Sequence, residues 1–249
     1  MNRFPYQSNE YLGILDSNPI QFSNFLKQNI YENDIYKFNI TGTRNINLSL
    51  NNISVGDDAD LYLYRDSNGN GILDNGDILV QSSIAPGSGD DTINLGAQPG
   101  GTYFARVRYF SSGINSRIDY DLGLSAQYSG PSNVIGVDVY LANFNNDLNH
   151  HGWIGSSNTI DTYQFNLNLD FSEGLNINLF GLSADANIRL IQDSNNDGVV
   201  QTSEIIAFST NKGNSNESIL EIDIPGTYLL QVYQYSGNTY YTVNFDTYL

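Results

Sequence analysis

The chain has 249 residues, 27 acidic against 10 basic side chains for a formal charge of −17, 40% hydrophobic residues and no cysteine. So acidic a surface repels phosphate backbones and anionic lipid, which argues against nucleic acid and bare membrane as partners and favours cations. A disulfide framework and a thiolate zinc site are excluded; no apolar run reaches the length of a membrane span, and 249 residues predict two ordinary domains.

Read in chain order, the opening "MNRFPYQSNEYLGILDSNPI" lacks a basic region followed by an apolar one, so no cleavable signal is expected. Residues 20–30 are the one stretch that reads as helix, weakly patterned. From there the periodicity is two. Leu61 and Leu63 alternate with Tyr62 and Tyr64, while Tyr103, Ala105, Val107 and Tyr109 share a face, the mark of half-buried strands. Strands are predicted near 34–40, 44–50, 60–65, 77–82, 91–95, 101–109 and 118–125. After "QYSGPSN" (127–133), which is linker chemistry, seven more are predicted near 161–168, 174–180, 187–192, 204–209, 217–224, 226–235 and 239–246. The closing "FDTYL" has an Asp followed by bulky residues, an ending that occurs in C-terminal type I secretion signals.

The two runs of strands are copies. "DIYKFNI" at 34 answers "DTYQFNL" at 161 (161 − 34 = 127), and "GTYFARV" at 101 answers "GTYLLQV" at 226 (226 − 101 = 125). A long period occurring twice means tandem domains, not a solenoid. The expected fold is all-β: two tandem antiparallel β-sandwiches, jelly-roll-like, over residues 1–128 and 132–249.

Between the third and fourth predicted strands of each copy lies a twelve-residue acidic stretch, "DSNGNGILDNGD" (66–77) and "DSNNDGVVQTSE" (193–204), again 127 apart (193 − 66 = 127). Both fit the EF-hand loop, in which calcium takes six to eight oxygens from alternate residues of a tight turn. Asp66, Asn68, Asn70, Asp74 and Asp77 stand at positions 1, 3, 5, 9 and 12 of the first; Asp193, Asn195, Asp197, Gln201 and Glu204 stand there in the second. Ile72 and Val199, at position 7, would offer main-chain carbonyls. Gly71 and Gly198 at position 6 allow the sharp turn, and Leu73 and Val200 at position 8 are expected to anchor the loops. Two Ca²⁺ sites are therefore expected. Strands flank the loops, so the ion would stabilise more than it would switch, and the three carboxylates per loop couple binding to local folding.

Other chemistry is sparse. There is no H-E-x-x-H, G-x-S-x-G or Cys nucleophile, so no enzyme is expected. His150 and His151 read as exposed residues of a polar loop, "LNHHGWIGSS", with Trp153 beside them. Tyr62, Tyr64, Tyr103, Tyr109, Tyr233, Tyr235, Tyr240 and Tyr241 either fill the sandwich or present flat faces to a sugar or a collagen-like chain.

The order "DIYKFNI", "DADLYLYRD", "GTYFARVRYF", "YDLGLS" resembles the bacterial pre-peptidase C-terminal domain, and the second copy repeats it more loosely, with Asn187 and Ile188 in place of Asp60 and Leu61. The resemblance implies a secreted or surface β-sandwich, non-catalytic, accessory to a peptidase or another exported enzyme. Collagen-binding modules of bacterial collagenases are similar in architecture. The twelve-residue loops are not general to that family, so calcium rests on spacing alone. The expectation is a calcium-binding, non-catalytic extracellular or cell-surface module. Its partner would be an extracellular polysaccharide, a matrix protein or a peptidase.

Overall fold

The computed structural model describes residues 7–113, 115–141, 147–168 and 174–248. Two compact units divide the chain, Met1–Ser129 and Gly130–Leu249. In the first, the strands are β1 (Gln7–Ile14), β2 (Ile20–Lys27), β3 (Asn33–Ile40), β4 (Arg44–Asn51), β5 (Asp58–Arg65), β6 (Ile78–Ser83), β7 (Asp91–Gln98), β8 (Gly101–Ser111) and β9 (Arg117–Gln127). They form sheets of order β1-β3-β8-β5-β6 and β2-β9-β4-β7. In the second, they are β10 (Val139–Tyr140), β11 (Leu148–Ile154), β12 (Ile160–Leu167), β13 (Gly174–Phe180), β14 (Asp185–Ile191), β15 (Ile205–Ser209), β16 (Glu217–Ile222), β17 (Gly226–Ser236) and β18 (Thr239–Tyr248). Their sheets run β10-β12-β17-β14-β15 and β11-β18-β13-β16, the first unit's order with every label advanced by nine.

Each unit closes its own core. Leu48, Leu61, Leu63, Tyr103 and Leu122 meet between the sheets of the first; Ile177, Ile188, Leu190, Leu230 and Phe245 do so in the second. Each such side chain contributes about 1.5–3 kcal/mol on leaving water. Alternation puts them there: β5 buries Leu61 and Leu63 and leaves Tyr62 and Tyr64 half-buried on its other face.

The β-sandwich architecture is as the alternation predicts, with three corrections. Residues 20–27 are a strand, not a helix. The inward residues of β2 are Ile20, Phe22, Asn24 and Leu26, and the polar Asn24 with the outward Phe25 blurs the period. Asn24 is inside because its Nδ2 donates to the Tyr36 hydroxyl at 3.1 Å. The "polar loop" with the histidines is β11, paired with β18 throughout. Its inward His150 and Gly152 carry no aliphatic signal, and Gly152 is required because a Cβ there would lie 2.3 Å from the Tyr241 hydroxyl. Finally, the sheets are not wholly antiparallel: β1 pairs with β3, and β10 with β12, in parallel.

Candidate metal centre

Both twelve-residue stretches are the loops of edge hairpins. The β5–β6 ladder ends at Arg65 opposite Ile78, leaving residues 66–77 to cross between them. In the second unit Ile191 faces Ile205, and the Gln192 N–H donates to the Glu204 carbonyl at 2.9 Å. The sixth residue must be glycine for a backbone reason: φ is +70° at Gly71 and +71° at Gly198, left-handed values that cost a side-chain-bearing residue about 1–2 kcal/mol. The eighth residue is the anchor. Leu73 is buried with Ile35 and Phe104, and Val200 packs on Ile135, Val137, Ile191 and Leu229.

Five hydrogen bonds from main-chain N–H groups to side chains recur at matching positions, beside a main-chain bond from the twelfth N–H to the ninth carbonyl at 3.1 Å in both loops. The sixth N–H donates to the first carboxylate (Gly71 to Asp66 Oδ2, 2.9 Å; Gly198 to Asp193 Oδ2, 3.2 Å). The fifth donates to the third side chain (Asn70 to Asn68 Oδ1, 3.0 Å; Asp197 to Asn195 Oδ1, 3.0 Å). The seventh donates to the fifth (Ile72 to Asn70 Oδ1, 2.8 Å; Val199 to Asp197 Oδ1, 2.9 Å). The second and ninth both donate to the twelfth: Ser67 and Asp74 to Asp77 at 3.2 and 2.9 Å, Ser194 and Gln201 to Glu204 at 3.1 and 3.0 Å. These bonds turn the side-chain oxygens of positions 1, 3, 5 and 12 back onto their own loop. Positions 1, 3, 5 and 12 thus accept from main-chain N–H groups of their own loop in both units.

The loops differ in where the third charge sits. A side-chain hydrogen bond joins positions 5 and 9 in both, with its polarity reversed: Asn70 Nδ2 donates to Asp74 Oδ2 at 2.8 Å, whereas Gln201 Nε2 donates to Asp197 Oδ2 at 2.7 Å. Asp74 also accepts the Gly76 N–H at 2.7 Å, and that bond, followed by the Asn70 amide, holds its carboxyl below the usual range. Asp193 is pushed the other way, first by burial and then by the charges of Glu204 and Asp197, although the Gly198 N–H opposes them. One oxygen of the second loop, Asp193 Oδ1, is buried with no hydrogen-bond partner, while the Gln201 side chain faces the Glu204 N–H in a capping box. Such an acceptor costs about 1–3 kcal/mol unless something satisfies it. Among the described residues no three His, Cys, Asp or Glu side chains make a metal cluster by themselves. The three carboxylates of each loop are therefore not drawn together into one cluster in this structure; amide and main-chain oxygens could add to the donor set of a calcium loop.

Of the other residues singled out in the sequence, His150 is hydrogen-bonded through Nδ1 to the Tyr163 hydroxyl at 3.1 Å, its ring edge-on to that tyrosine, and His151 through Nδ1 to Thr242 Oγ1 at 2.9 Å. Trp153 stands opposite Tyr240 on β18. The tyrosines divide: Tyr103 and Tyr241 are buried, whereas Tyr235 and Tyr240 are 72% and 75% exposed.

A second repeated polar feature was missed. Tyr120 donates to Asp34 Oδ2 at 2.5 Å and shares a 2.7 Å hydrogen bond with Tyr36; Tyr241 donates to Asp161 Oδ2 at 2.5 Å and shares one of 2.7 Å with Tyr163. Burial, then the neighbouring aspartate, pushes the Tyr120 and Tyr241 hydroxyls far up, so both stay protonated donors. The signal was present as the D-x-Y shared by "DIYKF" and "DTYQF". A third repeated feature lies at the start of β7 and β16. There Asp91 Oδ1 accepts from Ser83 Oγ and Ala85 N, each at 2.7 Å, and Glu217 accepts from Ser209 Oγ and Asn211 N.

Residues 32–108, from the end of the turn before β3 through most of β8, match the family model of the bacterial pre-peptidase C-terminal domain. The match lies wholly within the first unit. The matched stretch includes the 66–77 loop. Among solved structures, the pre-peptidase C-terminal domain of collagenase from Bacillus anthracis is 21% identical over 50% of this chain and 99% of its own, with a TM-score of 0.34. PliG of Salmonella Typhimurium, a periplasmic inhibitor of g-type lysozyme, is 17% identical over 47% of this chain and 98% of its own, at 0.30. The CUB1-EGF-CUB2 region of rat MASP-1 spans 96% of this chain and 100% of its own at 9% identity and 0.29. No curated protein matches the sequence. No helix among the described residues is long and apolar enough to cross a membrane.

Proposed function

We propose that both hairpin loops hold calcium and that the protein is a calcium-ordered, non-catalytic binding or accessory module acting outside the cell. The observation that carries the reading is the buried, unpartnered oxygen Asp193 Oδ1, in a loop whose main-chain hydrogen bonds to positions 1, 3, 5 and 12 recur in the sister unit. Asp193, Asn195, Asp197, Gln201, Glu204 and the Val199 carbonyl would hold one ion; Asp66, Asn68, Asn70, Asp74, Asp77 and the Ile72 carbonyl would hold the other. When bound, calcium supplies the charge that offsets three carboxylates per loop. The loops join antiparallel strands, so binding orders an edge hairpin and opens nothing.

Calorimetric titration with Ca²⁺ tests the reading. Two binding events are expected; Asp193→Ala with Glu204→Ala removes one, and Asp66→Ala with Asp77→Ala removes the other. Both events surviving in both variants overturns it.

A second reading, contact with an extracellular polysaccharide or a matrix protein, is favoured by Tyr235 and Tyr240, which flank the β17–β18 turn and stand mostly in solvent. Flat, rigid tyrosines suit such contacts. A glycan and collagen array tests it: a hit lost on Tyr235→Ala supports it, and silence of the wild type removes it.

A further inference from the structure

The carbonyl of the sixth loop residue is taken, in both units, by a donor from outside the loop, and the two donors differ in charge. Gly198 O accepts the main-chain N–H of Ile135 at 2.9 Å. Gly71 O accepts the ammonium of Lys37 at 3.0 Å. The contact is close enough that a Cβ on Gly71 would lie 2.6 Å from Lys37 Nζ. Lys37 is on β3; its counterpart on β12, at the repeat offset of 127 (37 + 127 = 164), is the neutral Gln164.

The rest of the first loop is also satisfied from within. Asp66 accepts the N–H groups of Gly69 and Gly71, Asp77 accepts those of Ser67 and Asp74, and Asp74 accepts the amides of Asn68 and Asn70 together with the Gly76 N–H. No oxygen of these three carboxylates is left without a donor, in contrast to Asp193 Oδ1 in the second loop. The Lys37 ammonium is thus fixed on the residue before Ile72, whose carbonyl the calcium reading assigns to the ion.

Resting on the calcium reading of the loops, we infer that Lys37 sets the affinity of the first loop: it competes electrostatically with the ion, so the first site fills only at higher calcium than the second. Like-charge repulsion at a solvated surface changes affinity on the order of fivefold to tenfold, and salt screens it.

The test is calorimetric titration of the full chain with CaCl₂ in the wild type, Lys37→Gln and Lys37→Arg, with the first-loop event assigned as the one that Asp66→Ala abolishes. Lys37→Gln is expected to tighten that event on the order of fivefold to tenfold, or to reveal it where the wild type shows none, while the second event stays in place. Lys37→Arg keeps the charge and titrates like the wild type, and the Gln effect shrinks in about 1 M salt. Equal first-loop affinity in the wild type and Lys37→Gln overturns the inference while leaving the calcium reading standing. A first loop silent in every variant at millimolar calcium overturns both.

Discussion

Asp34, buried at the inner end of β3, accepts a 2.5 Å hydrogen bond from Tyr120, which is itself tied to Tyr36. Removing a donor to a buried carboxylate costs at least as much as removing an average hydrogen bond, because a desolvated acceptor loses one of its donors. Tyr120→Phe is therefore expected to lower stability by about 1–3 kcal/mol in urea denaturation, and Tyr235→Phe, on an exposed ring, to change it little. Asp91 carries a pH signature. Burial, with the charges of Asp60 and Asp58 added, pushes its carboxyl up to about 6, against the donors Ala85 N and Ser83 Oγ. Because the folded value lies above the unfolded one, the fold favours the protonated form. Stability from this group falls as pH rises from about 4 to about 6 and stays lower above that, by on the order of 2–3 kcal/mol. The difference in unfolding free energy between wild type and Asp91→Asn should show that slope, with the variant gaining relative stability at pH 7.5 over pH 4.

At the scale of elements, the strands that read clearly are those whose inward residues are all aliphatic or aromatic. β5 turns Leu61 and Leu63 inward, and β17 turns Tyr228, Leu230 and Val232 inward while Leu229 and Gln231 are buried on its other face. β2 and β11 were hidden because their inward places hold Asn24, His150 and Gly152, chosen to serve or make room for Tyr36, Tyr163 and Tyr241. β10 is two residues long, too short for any period. The loops were legible because their spacing repeats 127 residues apart; the buried loneliness of Asp193 Oδ1 and the Lys37 contact were not, since both depend on what neighbouring strands bring. Position 6 tolerates no side chain without strain, so Gly198→Ala should cost about 1–2 kcal/mol. It should also weaken the second calcium event, measured by melting with and without calcium.

Over the whole molecule, the two cores share no residue and each unit repeats the other's sheet order. A lesion in one loop should therefore be felt by one unit. In a calorimetric melt, Asp193→Ala with Glu204→Ala should remove the calcium-dependent rise of one transition and leave the other's. At free calcium 100-fold above its dissociation constant a single site adds about 2.7 kcal/mol, which is large against the stability of a domain of this size. The chain's charge of −17 adds to the demand for cations, but a diffuse demand is not a site; the repeated loops make it local.

The most direct measurement is a crystal structure grown in millimolar Ca²⁺. The account predicts a calcium ion in the second loop with Asp193 Oδ1 and the Val199 carbonyl at about 2.3–2.6 Å. Water alone at that position, with Asp193 Oδ1 still unpartnered, would contradict it.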